Sequence, residues 1–112
     1  LTGLKRGDAC LLIIGDAVHS EQPDALEDMQ GSMLLMDLIL RLMQMFPQQV
    51  FYLRGNHDSF SDTISKGGVS QGVVWLKTLR KARGKAYAKA MERFYRRLPL
   101  VAVSPRFIAC HA

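Results

Sequence analysis

Cysteine is scarce in this sequence, and so are long unbroken hydrophobic runs. Only Cys10 and Cys110 occur, each inside a short apolar stretch, so a secreted disulfide framework is excluded. Two buried, reduced thiols in the cytoplasm are the expectation, with the cysteines acting as small core residues. The most apolar stretch, 33–46, is interrupted by Asp37 and Arg41 and falls short of the roughly 20 residues needed to cross a bilayer. No signal peptide, internal repeat or low-complexity tract is present, which leaves one small globular domain of 112 residues. Neither Leu1-Thr2 nor Ala112 reads as a natural terminus, so the chain is expected to be an internal piece of a longer domain.

The charge that is present is unevenly placed. Nine basic residues lie between Lys77 and Arg97 against the single acid Glu92, a local balance of +8 within a net +5. A helix so basic can touch nucleic acid, anionic lipid or a phosphorylated ligand, and a solvated face is the plainer reading.

Hydrophobic patterning organises the rest. Residues 9–14 (ACLLII) read as a strand buried on both faces, ending at Gly15-Asp16. Ser32 can cap a helix over 33–46 that ends at Pro47. Asp37, Arg41, Gln44 and Gln48 form its narrow polar stripe, and Asp37 can pair with Arg41. Residues 50–53 (VFYL) form a second strand running into Gly55-Asn56-His57-Asp58. Strand, helix, strand is a βαβ unit, so both glycine turns belong at one sheet edge, where α/β proteins gather their ligands.

Residues 59–72 read as an ordered surface loop. A long basic helix follows, with Leu76, Leu79, Tyr87, Ala90, Met91, Phe94 and Leu98 on its buried side and a weak point at Gly84. Two strands around Ser104-Pro105-Arg106 then form a β-hairpin ending at His111. Met29, Met33, Met36, Met43 and Met45 read as core filler.

Three segments therefore place metal-capable side chains just after hydrophobic strands. A carboxylate can bridge two cations, while an amide oxygen and an imidazole nitrogen are neutral ligands. The segments are Ile-Ile-Gly-Asp-Ala-Val-His (13–19), Tyr-Leu-Arg-Gly-Asn-His-Asp (52–58) and Phe-Ile-Ala-Cys-His-Ala (107–112). In order and strand context they resemble consecutive motifs of the calcineurin-like metallophosphoesterase superfamily, closest in style to its serine/threonine phosphoprotein phosphatase branch.

The resemblance implies an α/β fold, a partial metallophosphoesterase sandwich over 1–112. It implies a site holding two divalent or trivalent ions (Mn, Fe or Zn) that hydrolyses phosphomonoesters or phosphoproteins. Asp16, Asn56 and His111 would bind metal, and His57 would protonate the leaving alkoxide. Asn56 would also steady a phosphate oxygen; His19 and Arg54 are further candidate phosphate contacts, with a surface position the alternative for His19 and pairing with a neighbouring acid the plainer reading of Arg54. The family's first Asp-x-His and last Gly-His-x-His motifs do not occur in this chain. His19 and Ser20 stand where the phosphatase branch has aspartate and arginine. A non-catalytic binding or scaffolding member of the fold is the alternative reading, and a nucleic-acid-binding module resting on the basic helix is another.

Overall fold

A computed structural model describes residues 1–112. The parallel unit at its centre is built from strand β1 (Leu11–Ile13), helix α2 (Gln30–Met45) and strand β2 (Val50–Tyr52), preceded by a short helix α1 (Thr2–Arg6). Leu11 pairs with Val50, Leu12 with Phe51 and Ile13 with Tyr52, so the strands are parallel and their carboxyl ends lie together. The expected βαβ crossover is thus present, each element within a few residues of its predicted bounds.

The segment 59–72 carries more order than a loop. Strands β3 (Ser65–Lys66) and β4 (Val69–Ser70) form a small antiparallel hairpin, and helix α3 (Gln71–Arg83) starts at its end. The single long helix expected over the basic region is two, α3 and α4 (Lys85–Arg97), separated at Gly84. Strands β5 (Val101–Val103) and β6 (Ile108–Cys110) make the expected antiparallel hairpin. The three strand pairs remain separate two-stranded sheets. The architecture is a mixed helix and strand domain of the α/β kind.

The core joins these parts. Met36 and Ile39 from α2, Tyr52 from β2, Trp75 and Leu79 from α3, and Met91 and Tyr95 from α4 form one buried cluster. Such burial of apolar area is the main term favouring folding, about 25 cal/mol per Å². The buried Trp75 Nε1–H donates to the Tyr95 hydroxyl at 3.0 Å, so neither polar tip is stranded. The same burial raises the Tyr95 pKa.

Several expectations about burial are overturned. Strand β1 is not covered on both faces, because a two-stranded sheet offers only one flank to the core. Leu11 and Phe51 are exposed while Val50 and Tyr52 are buried. Helix α2 does not lie deep: Leu34, Leu35, Leu38 and Met45 are exposed, leaving only Ser32, Met36 and Ile39 fully buried along it. Met45 and Ala90 are therefore surface residues rather than core.

Ser32 caps nothing. The helix starts earlier, after Met29, with no side-chain cap. Asp37 pairs with Arg83 of α3 at 2.6 Å rather than with Arg41, because the two helices bring those side chains together. Cys10 and Cys110 are free thiols, as expected, but both are exposed: their strand ends have no layer packed over them. No helix is long and apolar enough to cross a membrane.

Candidate metal and phosphate site

Two turns at the carboxyl ends of β1 and β2 press against each other. Gly15 has φ of +77°, and a Cβ there would come within 2.4 Å of the Gly55 backbone nitrogen. A Cβ on Gly55 would meet Asp16 Oδ1 at 2.0 Å. Side chains at either position would separate the two turns, so glycine is required at both. The payment for this close approach is backbone strain: Asp16 and His19 both adopt positive φ, of 52° and 74°.

Asp58, which the sequence reading left without a role, pins the junction. Its Oδ2 accepts the N–H groups of Gly55 (2.7 Å) and Asp16 (3.1 Å), and its Oδ1 accepts the Tyr52 hydroxyl (2.7 Å). Tyr52 oxygen in turn accepts the Ala17 N–H at 3.2 Å. Asp58 is fully buried, and that desolvation raises its pKa even against three hydrogen bonds that favour the carboxylate. Tyr52 is pushed up as well, by burial first and then by the neighbouring Asp58 charge. The return of Asp58 to Gly55, three residues back, is a local turn habit legible in sequence. Its bond to Asp16, 42 residues away, has no local signal.

The candidate metal ligands gather on the outer side of this junction. Asp16 Oδ1 accepts the His57 N–H at 2.8 Å, which leaves Oδ2 facing outward. His111 Nε2 lies 3.0 Å from that Oδ2 and 2.9 Å from Asn56 Oδ1. The other ring nitrogen, Nδ1, donates to the Ile14 carbonyl at 2.8 Å, fixing the tautomer. Nε2 therefore faces two acceptor oxygens, an arrangement that calls for a proton or a cation between them.

One carboxylate, one amide oxygen and one imidazole suit a borderline or hard divalent ion, so the residues present fit one metal. No group of three His, Cys, Asp or Glu side chains is assembled anywhere in the chain, since the third donor here is an asparagine.

His57 and His19 face each other beside this cluster, Nδ1 to Nδ1 at 2.8 Å, with their rings edge to face. One nitrogen must donate and the other accept. The His19 N–H donates to Ser32 Oγ at 2.8 Å, which explains why Ser32 is buried without capping α2. Burial, then the adjacent His57, lowers the His19 pKa to about 4, with Asp16 pulling the other way. His19 is thus neutral at neutral pH, and its Nε2 is buried with no partner.

Arg54 is held by its N–H donating to the Pro99 carbonyl at 2.8 Å and forms no ion pair with any acid. Gln71, read from sequence as the end of a loop, is fully buried and donates to the Ser20 carbonyl at 2.9 Å. It thereby anchors the segment that carries His19.

In comparisons with known proteins the chain matches no family model, and no curated protein or solved structure shows significant similarity to it.

Proposed function

We propose that this chain carries part of a metal-dependent phosphate-ester hydrolase site of the calcineurin-like kind, centred on Asp16, Asn56, His57 and His111. The observation that carries the reading is the meeting of His111 Nε2 with Asp16 Oδ2 and Asn56 Oδ1, at 3.0 and 2.9 Å, from three separate strand ends. The order and sequence of the strand-end motifs support it alongside that geometry.

Asp16, Asn56 and His111 would hold one cation, and Asp16 could share a second. Bound there, a divalent or trivalent ion such as Mn, Fe or Zn would supply positive charge to offset the negative charge of a phosphoryl oxygen and would acidify water. The remaining tasks fall to protein groups. The Asn56 side-chain amide can steady a phosphate oxygen. His57 stands on the same turn, its backbone tied to Asp16 and its ring half exposed, where it can give a proton to a departing alkoxide.

His19 is the partner that orients the His57 ring. As a neutral imidazole it holds the ring without adding the negative charge a carboxylate would bring, so it stabilises a protonated His57 less. Phosphomonoesters and phosphoproteins are the substrate class. A purely binding role for the same fold draws on this one feature, the replacement of an acid by His19.

Calorimetric titration of the chain with Mn²⁺, beside hydrolysis of an activated aryl phosphate, tests the reading. One weakly bound ion is expected, with affinity reduced at least about tenfold by Asp16→Asn or His111→Ala, a loss of about 1.4 kcal/mol. Turnover by the chain alone is expected to be slight, since one cation gives only part of the stabilisation that a pair provides. Absence of Mn²⁺ binding, or binding indifferent to both substitutions, would remove the metal site.

A further inference from the structure

The second concentration of chemistry lies on the other side of the β2 turn. Here α3, α4 and residues 58–61 enclose a cavity of about 440 Å³. Small-ligand sites commonly measure roughly 300–1,000 Å³. Arg54 enters the cavity from the turn, Arg80 from α3, and Lys89 and Arg96 from α4.

Two acids also line the space, two carboxylates against four cations, and neither pairs with Arg54, Arg80 or Lys89. Asp58 spends its oxygens on Gly55, Asp16 and Tyr52. Glu92 is engaged by Arg96 at 2.9 Å along the helix. The chain's other ion pairs are Arg6–Asp8, Lys66–Glu21 and Arg83–Asp37. Arg54, Arg80 and Lys89 therefore converge on one concavity without a carboxylate for any of them.

Cations on a convex helix face are each solvated separately and ask for no explanation. Three of them around one hollow are different, because repulsion opposes their approach even though Arg80 and Lys89 also reach solvent. An anion in the hollow relieves that repulsion. Guanidinium forks suit the tetrahedral oxygens of a phosphoryl group better than they suit a point charge.

We propose that this cavity is an oxyanion site for a phosphoryl group, distinct from the Asp16–Asn56–His111 cluster and independent of any metal there. Arg54 lines both this cavity and the adjoining cleft that contains Asn56 and His111. One ligand bearing two anionic groups can therefore lie across both spaces. The occupying group could belong to a free phosphate compound or to a phosphorylated side chain of a peptide. An extended nucleic-acid backbone fits the observations less well, since the cations close around a hollow instead of lining a track.

The test uses the full chain in buffer stripped of divalent metal over a chelating resin, so that the metal cluster is silent. Inorganic phosphate, pyrophosphate and a phosphoserine peptide are titrated calorimetrically at fixed ionic strength. Expected is saturable binding that weakens at least tenfold in the double variant Arg80→Gln/Lys89→Gln and stays within twofold in Arg41→Gln, which removes an exposed cation outside the cavity. A phosphopeptide bound more tightly than pyrophosphate assigns the site to protein ligands, and the reverse order assigns it to small phosphate compounds.

Equal weakening in the double and control variants would overturn the site as mere surface charge. So would tight duplex DNA binding that falls steeply with salt and ignores Arg80 and Lys89. Should the double variant lose its helical circular dichroism, the unmodified chain still decides. Pyrophosphate should slow acylation of the Lys89 amine at least fivefold relative to Lys77, and no selective protection would sink the proposal.

Discussion

Asp58 and His19 belong to adjoining hydrogen-bond networks but stand at opposite extremes in how their polar atoms are used. Asp58 is fully buried, and both of its oxygens accept hydrogen bonds that tie two turns and a strand together. His19 is half buried; its Nδ1 meets His57 and its Nε2 meets nothing. The first arrangement spends every bond on rigidity. The second leaves one buried ring nitrogen without a protein partner, a state shared with Gln71 Oε1.

That contrast is most severely tested at Asp58. Asp58→Ala strands the Gly55 N–H and the Tyr52 hydroxyl in the interior, and about 3 kcal/mol of stability should be lost in urea denaturation. His57→Gln should cost under about 1 kcal/mol in the same experiment, since its ring is half exposed. Equal losses in the two variants would erase the distinction between a structural and a chemical cluster.

A smaller effect separates the members of the Asp58 network. Tyr52→Phe removes the hydroxyl that donates to Asp58 and accepts from Ala17 while keeping the ring in the core. About 1.5 kcal/mol is expected by thermal melting. A neutral outcome would mean that water replaces the hydroxyl and the junction is looser than its distances imply.

The pH dependence sharpens the other side. Because the folded-state pKa of His19 lies near 4, below the ordinary 6.5, the unfolded chain binds the extra proton in the interval between them. The His19 contribution to stability is therefore whole above about 6.5 and is lost as pH falls toward 4. Imidazole NMR should show His19 titrating near pH 4, and His19→Gln should flatten the acid limb of the stability profile. A His19 midpoint near 6.5 would show that the ring is solvated and its partnerless nitrogen has found water.

The least effect belongs to the Asp37–Arg83 pair between α2 and α3, whose side chains are both more than a third exposed. Arg83→Gln should change stability by less than about 1 kcal/mol and less still in high salt. A larger loss would mean that surface pairing, and not the buried cluster of Met36, Ile39, Trp75 and Leu79, sets how those helices pack.

The parallel unit was legible because its two strands and crossover helix are each announced by apolar runs that end in glycine or proline. Burial was less legible. Periodicity reports which face of α2 is apolar, but not how many layers lie against it, so Leu34 and Leu38 read as core and are exposed. The motif residues could be named from strand-end context, and the meeting of Asp16 with Asn56 follows from the parallel pairing of β1 and β2, whereas His111 arrives from the separate β5–β6 hairpin. Asp58 and Gln71 escaped notice because their long-range partners, Asp16 and the Ser20 carbonyl, carry no trace in the neighbouring sequence. The hollow between α3 and α4 escaped for a related reason. Basic residues on two helices look alike in sequence whether they face solvent or one another.

Gly15 and Gly55 have a thermodynamic consequence as a pair. Each leaves the room the other turn occupies, so a methyl group at either position must move the same two backbones apart. Once the first substitution has opened that gap, a second methyl meets slack instead of a wall. The cost of Gly15→Ala combined with Gly55→Ala should therefore fall short of the two single costs added together, with a coupling energy of about 0.5–3 kcal/mol. The two positions are energetically one site, and sequence change at either is constrained by the state of the other.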